Sequence, residues 1–247
     1  MVCVESTMKK RLLPALPSAI TLTSVLFGLL SITWAAHQPF WAAVALVFAA
    51  LCDCLDGRVA RATKTQSDFG LQLDSLADAV SFGVAPANLL YVWQLQHLSS
   101  GPIDLGLIVV FVYTACGLIR LARFNVMASR PDAEKTFTGI PIPLAAMMLC
   151  GIVMASHELN SATFQRADLL AALVLVLSGL MVCNIRFPAF KRSVSLRHRM
   201  AFSVAVLLGL GLLVAGATVG VMLVAFCVAY ILSGILPVLL RPLARRQ

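Results

Sequence analysis

Residues 52–78 read CDCLDGRVARATKTQSDFGLQLDSLAD, and the fold follows from how this stretch is read. Asp53, Asp56, Asp74 and Asp78 stand here in a chain that is 60% hydrophobic. Asp53, Asp56, Gly57, Ala60 and Arg61 fall at i, i+3, i+4, i+7 and i+8, which is one face of an α-helix. Gly70, Asp74 and Asp78 fall at i, i+4 and i+8, again one face. The polar residues 62–69 lie between. The spacing predicts two helices joined by a tight turn, each aiming two carboxylates at a common space.

An ionised aspartate in hydrocarbon costs on the order of 3 kcal/mol, and four placed together also repel one another. Divalent cations resolve both problems, because they take hard oxygen ligands. A pair of Mg²⁺ or Mn²⁺ ions is therefore expected at Asp53, Asp56, Asp74 and Asp78, and oxygen ligands suit either metal. Gly57, Ala60 and Gly70 are small, leaving room for a ligand to approach the backbone or for helices to pack closely. A purely structural reading, with Asp53 or Asp56 paired to Arg61, does not need four acids on two helices. Asp68, in the connection, reads as a solvated or capping residue.

Working outward, only 12% of the 247 residues are charged, and apolar runs of roughly 20 residues, long enough to cross a bilayer, recur along the chain. The expected fold is all-α: a polytopic integral membrane helix bundle of about eight transmembrane helices. The spans run near 18–36, 39 into the Asp53 motif, 69–94, 103–124, 140–156, 169–185, 200–217 and 218–236. The last two are nearly contiguous around Gly216 and Gly220, so six or seven spans remain open. Residues 1–17, with Lys9, Lys10, Arg11, Pro14 and Pro17, read as a cytoplasmic or interfacial N-terminal segment. Residues 18–240 are expected to form a single transmembrane domain carrying the acidic motif 53–78, and 241–247 a basic cytoplasmic tail. The basic start and Ala35-Ala36 resemble a signal peptide, but the apolar core is longer than a usual h-region and further spans follow at once.

Charge placement tests this topology. Of the nineteen Lys and Arg residues, all but Arg166 fall on one side of the eight-span arrangement. The positive-inside rule then puts both termini, and the aspartate cluster, at the cytoplasmic face. The net charge of +8 is thus explained by topology, and no nucleic-acid partner is expected. The seven cysteines are scattered; Cys52 and Cys54 point to different sides of a helix and do not make a zinc site. His37, His97 and His157 fall on the sparse side and His198 in a basic loop, all read as interfacial or solvated. A cation transporter or channel using the acidic site is disfavoured, since the acids sit at one face and no inverted repeat is visible.

The string Asp53-x2-Asp56-Gly57-x2-Ala60-Arg61-x8-Gly70-x3-Asp74-x3-Asp78 resembles the signature of the CDP-alcohol phosphatidyltransferase family, with every specified position filled. The resemblance implies a membrane enzyme that moves a phosphatidyl group from CDP-diacylglycerol to an alcohol and releases CMP. It implies that Asp53, Asp56 and Asp74 hold metal, that Asp78 completes the site, and that Asp78 takes the proton of the incoming hydroxyl. Gly57, Ala60 and Arg61 would lie along the CDP part, with Gly70 on the same side and Ser67 as a further contact. The family often opens its first span with Pro-Asn and then Thr. Here the stretch is Pro17-Ser18-Ala19-Ile20-Thr21, so Ser18 and Thr21 stand where a nucleotide contact is expected, and Ser18 makes fewer hydrogen bonds than Asn.

The acceptor is read elsewhere. Arg120-Leu-Ala-Arg123-Phe-Asn125, residues 137–143 (FTGIPIP), residues 181–191 (MVCNIRFPAFK) and residues 230–234 (YILSG) together resemble the phosphatidylserine synthase branch. That implies L-serine as acceptor and a homodimer; the compact chain suggests a bacterial inner membrane, and the charge placement a site facing the cytoplasm. Arg120 and Arg123, at i and i+3, would clamp a carboxylate or phosphate bidentately, with Asn125 beside them. Anchoring of the arginines at the interface is the alternative. Sister acceptors remain open: glycerol phosphate, inositol phosphate or choline.

Overall fold

A computed structural model of the chain describes residues 2–98, 102–128, 139–160, 162–185 and 218–244. Every regular element among them is helical. The elements are α1 (Val2–Trp34), α2 (Pro39–Thr63), α3 (Asp68–Asp78), a π-helical segment (Ala79–Val84), α4 (Ala85–Trp93), α5 (Leu105–Ala128), α6 (Ile142–Glu158), α7 (Ala167–Val182) and α8 (Val219–Ala244). Short 3₁₀ turns cover Leu95–Leu98 and Ala162–Gln165. The expected span at 200–217, with Arg186 and Lys191 before it, lies outside the described residues.

Four helical stretches are long and apolar enough to cross a membrane: Leu16–Trp34, Pro39–Ala62, Asp68–Trp93 and Leu105–Met127. Ile142–Glu158, Ala167–Val182 and Val219–Ile235 are shorter apolar helices. Large apolar side chains face outward along these helices, among them Leu22, Leu26, Trp41, Phe48, Phe111 and Val176. Such a surface is disfavoured in water and suits hydrocarbon. The chain is a membrane protein.

Sequence explains why α6 lies in the middle. Its apolar residues leave no polar face, and an all-round apolar helix belongs inside. Ala145, Ala146, Leu149, Cys150 and Val153 are essentially inaccessible. It packs against α2 and α8, while α1 packs chiefly on α2 and α5 on α7. Small residues permit these approaches. Ala42, Ala43, Leu46 and Ala49 bury one face of α2. A Cβ at Gly28 would stand 3.1 Å from Ser81 Oγ, so α1 nearly touches the π segment.

One end of the bundle is marked by aromatic rings. Phe40 and Trp93 flank His157, with ring centroids 6.2 and 6.3 Å away, and Tyr91 OH donates to Asp104 Oδ2 at 2.6 Å. Phe40, Trp93 and His157 thus gather at this end of the bundle. α1 turns into α2 here, where Gln38 N–H bonds to Trp34 O at 2.7 Å and Pro39 occupies the first helical turn, where its missing N–H costs nothing.

Boundaries differ from the sequence reading in physical ways. α1 begins at Val2 and continues through Pro14 and Pro17, so the residues before Ser18 prolong the first helix. α3 starts at Asp68, one residue ahead of the expected Phe69, because Ser67 caps it. The third span is not one regular helix: the turn after Asp78 is π-helical, with Ala85 N–H bonded to Val80 O.

Ahead of α6, Gly139 adopts φ +76°, a left-handed conformation that favours glycine. Its N–H bonds to Ile185 O at 2.9 Å, and Ile140 N–H to Leu180 O at 3.1 Å, fastening this turn to the end of α7. A Cβ here would collide with the carbonyl of Met181. Gly139→Ala is therefore expected to destabilise by about 2 kcal/mol or more, read as a lower Tm of the detergent-solubilised protein. An unchanged Tm would show that the turn tolerates a side chain.

Candidate active site

The end of the bundle opposite the aromatic rings is built by α2 and α3. α2 stops in a Schellman arrangement. Lys64 sits in the left-handed region at φ 55°, its N–H reaching Arg61 O, while Thr65 N–H bonds to Ala60 O at 3.1 Å. The chain then reverses in a few residues. Ser67 adopts an extended backbone, and its Oγ accepts from Gly70 N–H at 3.0 Å, which starts α3. A tight hairpin results, with both helices ending at the same level.

The hairpin brings the carboxylates together. One oxygen each of Asp53, Asp56 and Asp74 lies within 4.8 Å of the others. Asp78 joins them through Asp53, whose carboxylate is within hydrogen-bonding reach of both Asp74 and Asp78. Asp56 is 5% exposed. Its Oδ2 accepts from Thr21 Oγ1 at 2.6 Å. Thr21 also stands 3.0 Å from Pro17 O, but one hydroxyl has one proton, and the charged acceptor makes the stronger bond. The first helix is thus tied to the cluster through Thr21. Ser18 lies one turn earlier and half-buried, and Thr21 is the one of the two that contacts a carboxylate.

Among the described residues, Arg61 and Arg120 interact with this cluster. Arg61 is exposed and folds back over Gly57, its Nη1 3.3 Å from where a Cβ would be, and it interacts electrostatically with Asp56. Arg120 interacts with Asp78 from α5, and with Tyr230 from α8. Arg120 Nε is buried and has no hydrogen-bond partner among the described residues. Leaving such a donor unmade costs about 1–3 kcal/mol, so this atom is suited to an external acceptor. The donor set fits a divalent cation: several hard carboxylate oxygens from two helices converge.

The residues expected around the nucleotide and the acceptor are distributed unevenly. Gly57, Ala60 and Arg61 lie on α2 beside the carboxylates, with Gly57 and Ala60 half-buried and Arg61 exposed. Ser67 and Gly70 bond to each other as the helix cap. Of the acceptor set, Arg120 interacts with Asp78. Arg123 Nη2 donates to Asn184 Oδ1 at 2.8 Å and its Nη1 to Val182 O at 3.4 Å, joining α5 to the end of α7. Asn125 Nδ2 donates to Ser75 Oγ at 2.9 Å, which ties α5 to the residue next to Asp74.

Ser75 and Tyr113 were not singled out from the sequence, and Asn184 and Tyr230 entered only as members of the stretches 181–191 and 230–234, with no role of their own. Their contacts join residues far apart in the chain, for which spacing carries no signal. Pro86 is the exception. A proline inside a span removes an N–H and leaves the carbonyl four residues earlier without its helical donor, which points to Phe82.

Comparison with known proteins shows the family. The family model described as CDP-alcohol phosphatidyltransferase matches residues 14–182. The chain is similar to three proteins named CDP-diacylglycerol–serine O-phosphatidyltransferase. The one from Helicobacter pylori (strain ATCC 700392 / 26695) is 38% identical over 177 residues, covering 71% of this chain and 73% of the relative. That of Bacillus subtilis (strain 168) is 38% identical over 178 residues, 72% of this chain and 92% of the relative. That of Methanocaldococcus jannaschii is 35% identical over 177 residues, 71% of this chain and 74% of the relative.

Proposed function

Because the chain belongs to the CDP-alcohol phosphatidyltransferase family, we propose that it transfers the phosphatidyl group of CDP-diacylglycerol to L-serine, giving phosphatidylserine and CMP. The observation that carries this reading is the convergence of Asp53, Asp56 and Asp74 within 4.8 Å, with Asp78 and Arg120 beside them. In the reaction the serine hydroxyl oxygen bonds to the phosphatidyl phosphorus as the bond to the CMP oxygen breaks. The hydroxyl proton passes to Asp78.

Asp53, Asp56, Asp74 and Asp78 would hold the divalent metal, Mg²⁺ or Mn²⁺ and two ions by charge. When bound, the metal supplies charge neutralisation at the diphosphate and polarisation of the phosphorus. Thr21 orients Asp56 by donating to it. Gly57, Ala60 and Arg61 line the nucleotide, with Arg61 offering its guanidinium to phosphate. Ser67 and Gly70 act on the same side by setting the hairpin. Arg120 offers its unpartnered Nε–H to the serine carboxylate, while Arg123 and Asn125 frame that pocket through Asn184 and Ser75.

The finer topology belongs to this reading. Eight spans, with both termini and the site at the cytoplasmic face, are supported by the one-sided placement of Lys and Arg; a bacterial inner membrane is proposed from the compactness of the chain. The division into residues 1–17, 18–240 and 241–247 is proposed on hydropathy and charge along the chain, and a homodimeric state on the family resemblance.

The test is CMP release from purified protein with CDP-diacylglycerol and labelled serine, glycerol phosphate, inositol phosphate or choline. Serine is expected to be the acceptor; release with another alcohol and none with serine would refute the assignment. In the same assay Arg120→Ala is expected to raise the KM for serine by about 10-fold or more, the worth of a charged hydrogen bond, and that for the lipid much less. Arg123→Ala, whose side chain joins two helices, is expected to lower the Tm as well. An unchanged serine KM in both variants would remove the pair from the acceptor pocket.

A further inference from the structure

The π-helical turn Ala79–Val84 begins at the residue after Asp78. Each residue of an α-helix accounts for about 100° of rotation. A turn closed five residues back, as Ala85 N–H to Val80 O is, therefore rotates the outer half of the span by about one residue relative to Asp74 and Asp78. This lets the inner half face Asp53 while the outer half buries Phe82, Leu89 and Leu90. π turns of this kind are frequent at functional sites, but they need support, because they are less regular than the helix around them.

The support comes from two sides. Pro86 has no N–H, so the carbonyl of Phe82 lacks its α-helical donor. Tyr113 of α5, fully buried, donates its hydroxyl to Phe82 O at 2.9 Å. On the opposite side Ser81 Oγ donates to Ser24 O at 3.1 Å, with Gly28 of α1 against Ser81. Ser81 and Phe82 are three and four residues after Asp78, one helical turn away.

We propose that Tyr113 is a positioning residue for Asp78. Its hydroxyl holds the π turn open and so fixes the direction in which the Asp78 carboxylate leaves the helix. This rests on the reading of Asp78 as proton acceptor. No chemistry passes through Tyr113 itself, which lies toward the bundle interior.

The test compares wild type, Tyr113→Phe, Asp78→Asn and the double variant for kcat, for the KM of CDP-diacylglycerol and serine, and for Tm. Tyr113→Phe deletes one oxygen and keeps the ring. It is expected to lower kcat about tenfold, or 1.4 kcal/mol in the barrier, with both KM values little changed. In the Asp78→Asn background the same substitution is expected to change the residual rate less than about twofold, because residues that act through one another are not additive. A merely structural tyrosine would lower Tm and act additively, and that result overturns the proposal. So does a Tyr113→Phe enzyme with wild-type kcat while Asp78→Asn is impaired. If Asp78→Asn itself keeps wild-type kcat, the proton-acceptor reading fails, and the positioning role falls with it. Should Tyr113→Phe not accumulate in the membrane, Ser81→Ala removes the opposite hydrogen bond of the same turn and is expected to give the same non-additive loss of kcat; an additive loss or none refutes the proposal.

Discussion

Asp74→Ala is expected to abolish phosphatidyl transfer, with the rate falling by at least about 10³-fold, since bound metal supplies several kcal/mol of charge stabilisation. Asp74 is the one member of the converging triad contributed by α3; Asp53 and Asp56 both come from α2. Removing it leaves Asp78 as the one α3 carboxylate of the cluster facing the α2 pair, and Asp78 lies outside the triad that converges within 4.8 Å. Chelation of the wild-type protein should give the same loss, restored by added Mg²⁺ or Mn²⁺, whereas Asp74→Ala should not be restored at any practical metal concentration. Mn²⁺ binding followed by electron paramagnetic resonance separates metal loss from unfolding. Activity within tenfold of wild type would exclude Asp74 from the metal site. The equivalent losses are expected for Asp53→Ala and Asp56→Ala, and the latter also leaves Thr21 without its charged partner.

Asp78→Asn should behave differently. Asparagine keeps the size and one oxygen acceptor of aspartate but cannot take up a proton from the attacking hydroxyl. kcat is expected to fall by about 10²–10⁴-fold, the usual worth of a positioned general base, while binding of CDP-diacylglycerol changes little. Single-turnover CMP release, measured beside nucleotide binding, separates the two. Equal loss in binding and turnover would make Asp78 a metal ligand alone.

The convergence of the carboxylates was legible because it rests on helical periodicity on both sides of a short turn. Asp53 with Asp56, and Asp74 with Asp78, share faces whatever surrounds them. The turn could be read as well, though its two devices could not: the left-handed Lys64 and the Ser67 cap are seen only in the backbone. The acceptor set was less legible. Arg120 and Arg123 look equivalent at i and i+3, yet one turns to Asp78 and the other to Asn184. Which helix stands beside each arginine decides this, and no local pattern encodes it.

The amino-acid sequence by itself determined that this is a helical membrane protein with an acidic site at one end, and the comparison of its motif determined the family. Those conclusions need only hydropathy, period and residue type, which are properties of single segments. The tertiary structure decided which partners each group meets: Thr21 on Asp56, Asn125 on Ser75, Tyr113 on Phe82. It also decided that the span after Asp78 takes a π turn. The reason is physical. In a packed bundle a polar group finds its hydrogen-bond partner on whichever helix lies against it, and that neighbour is chosen by the packing of the whole core, as where small residues let α1 close on the π segment.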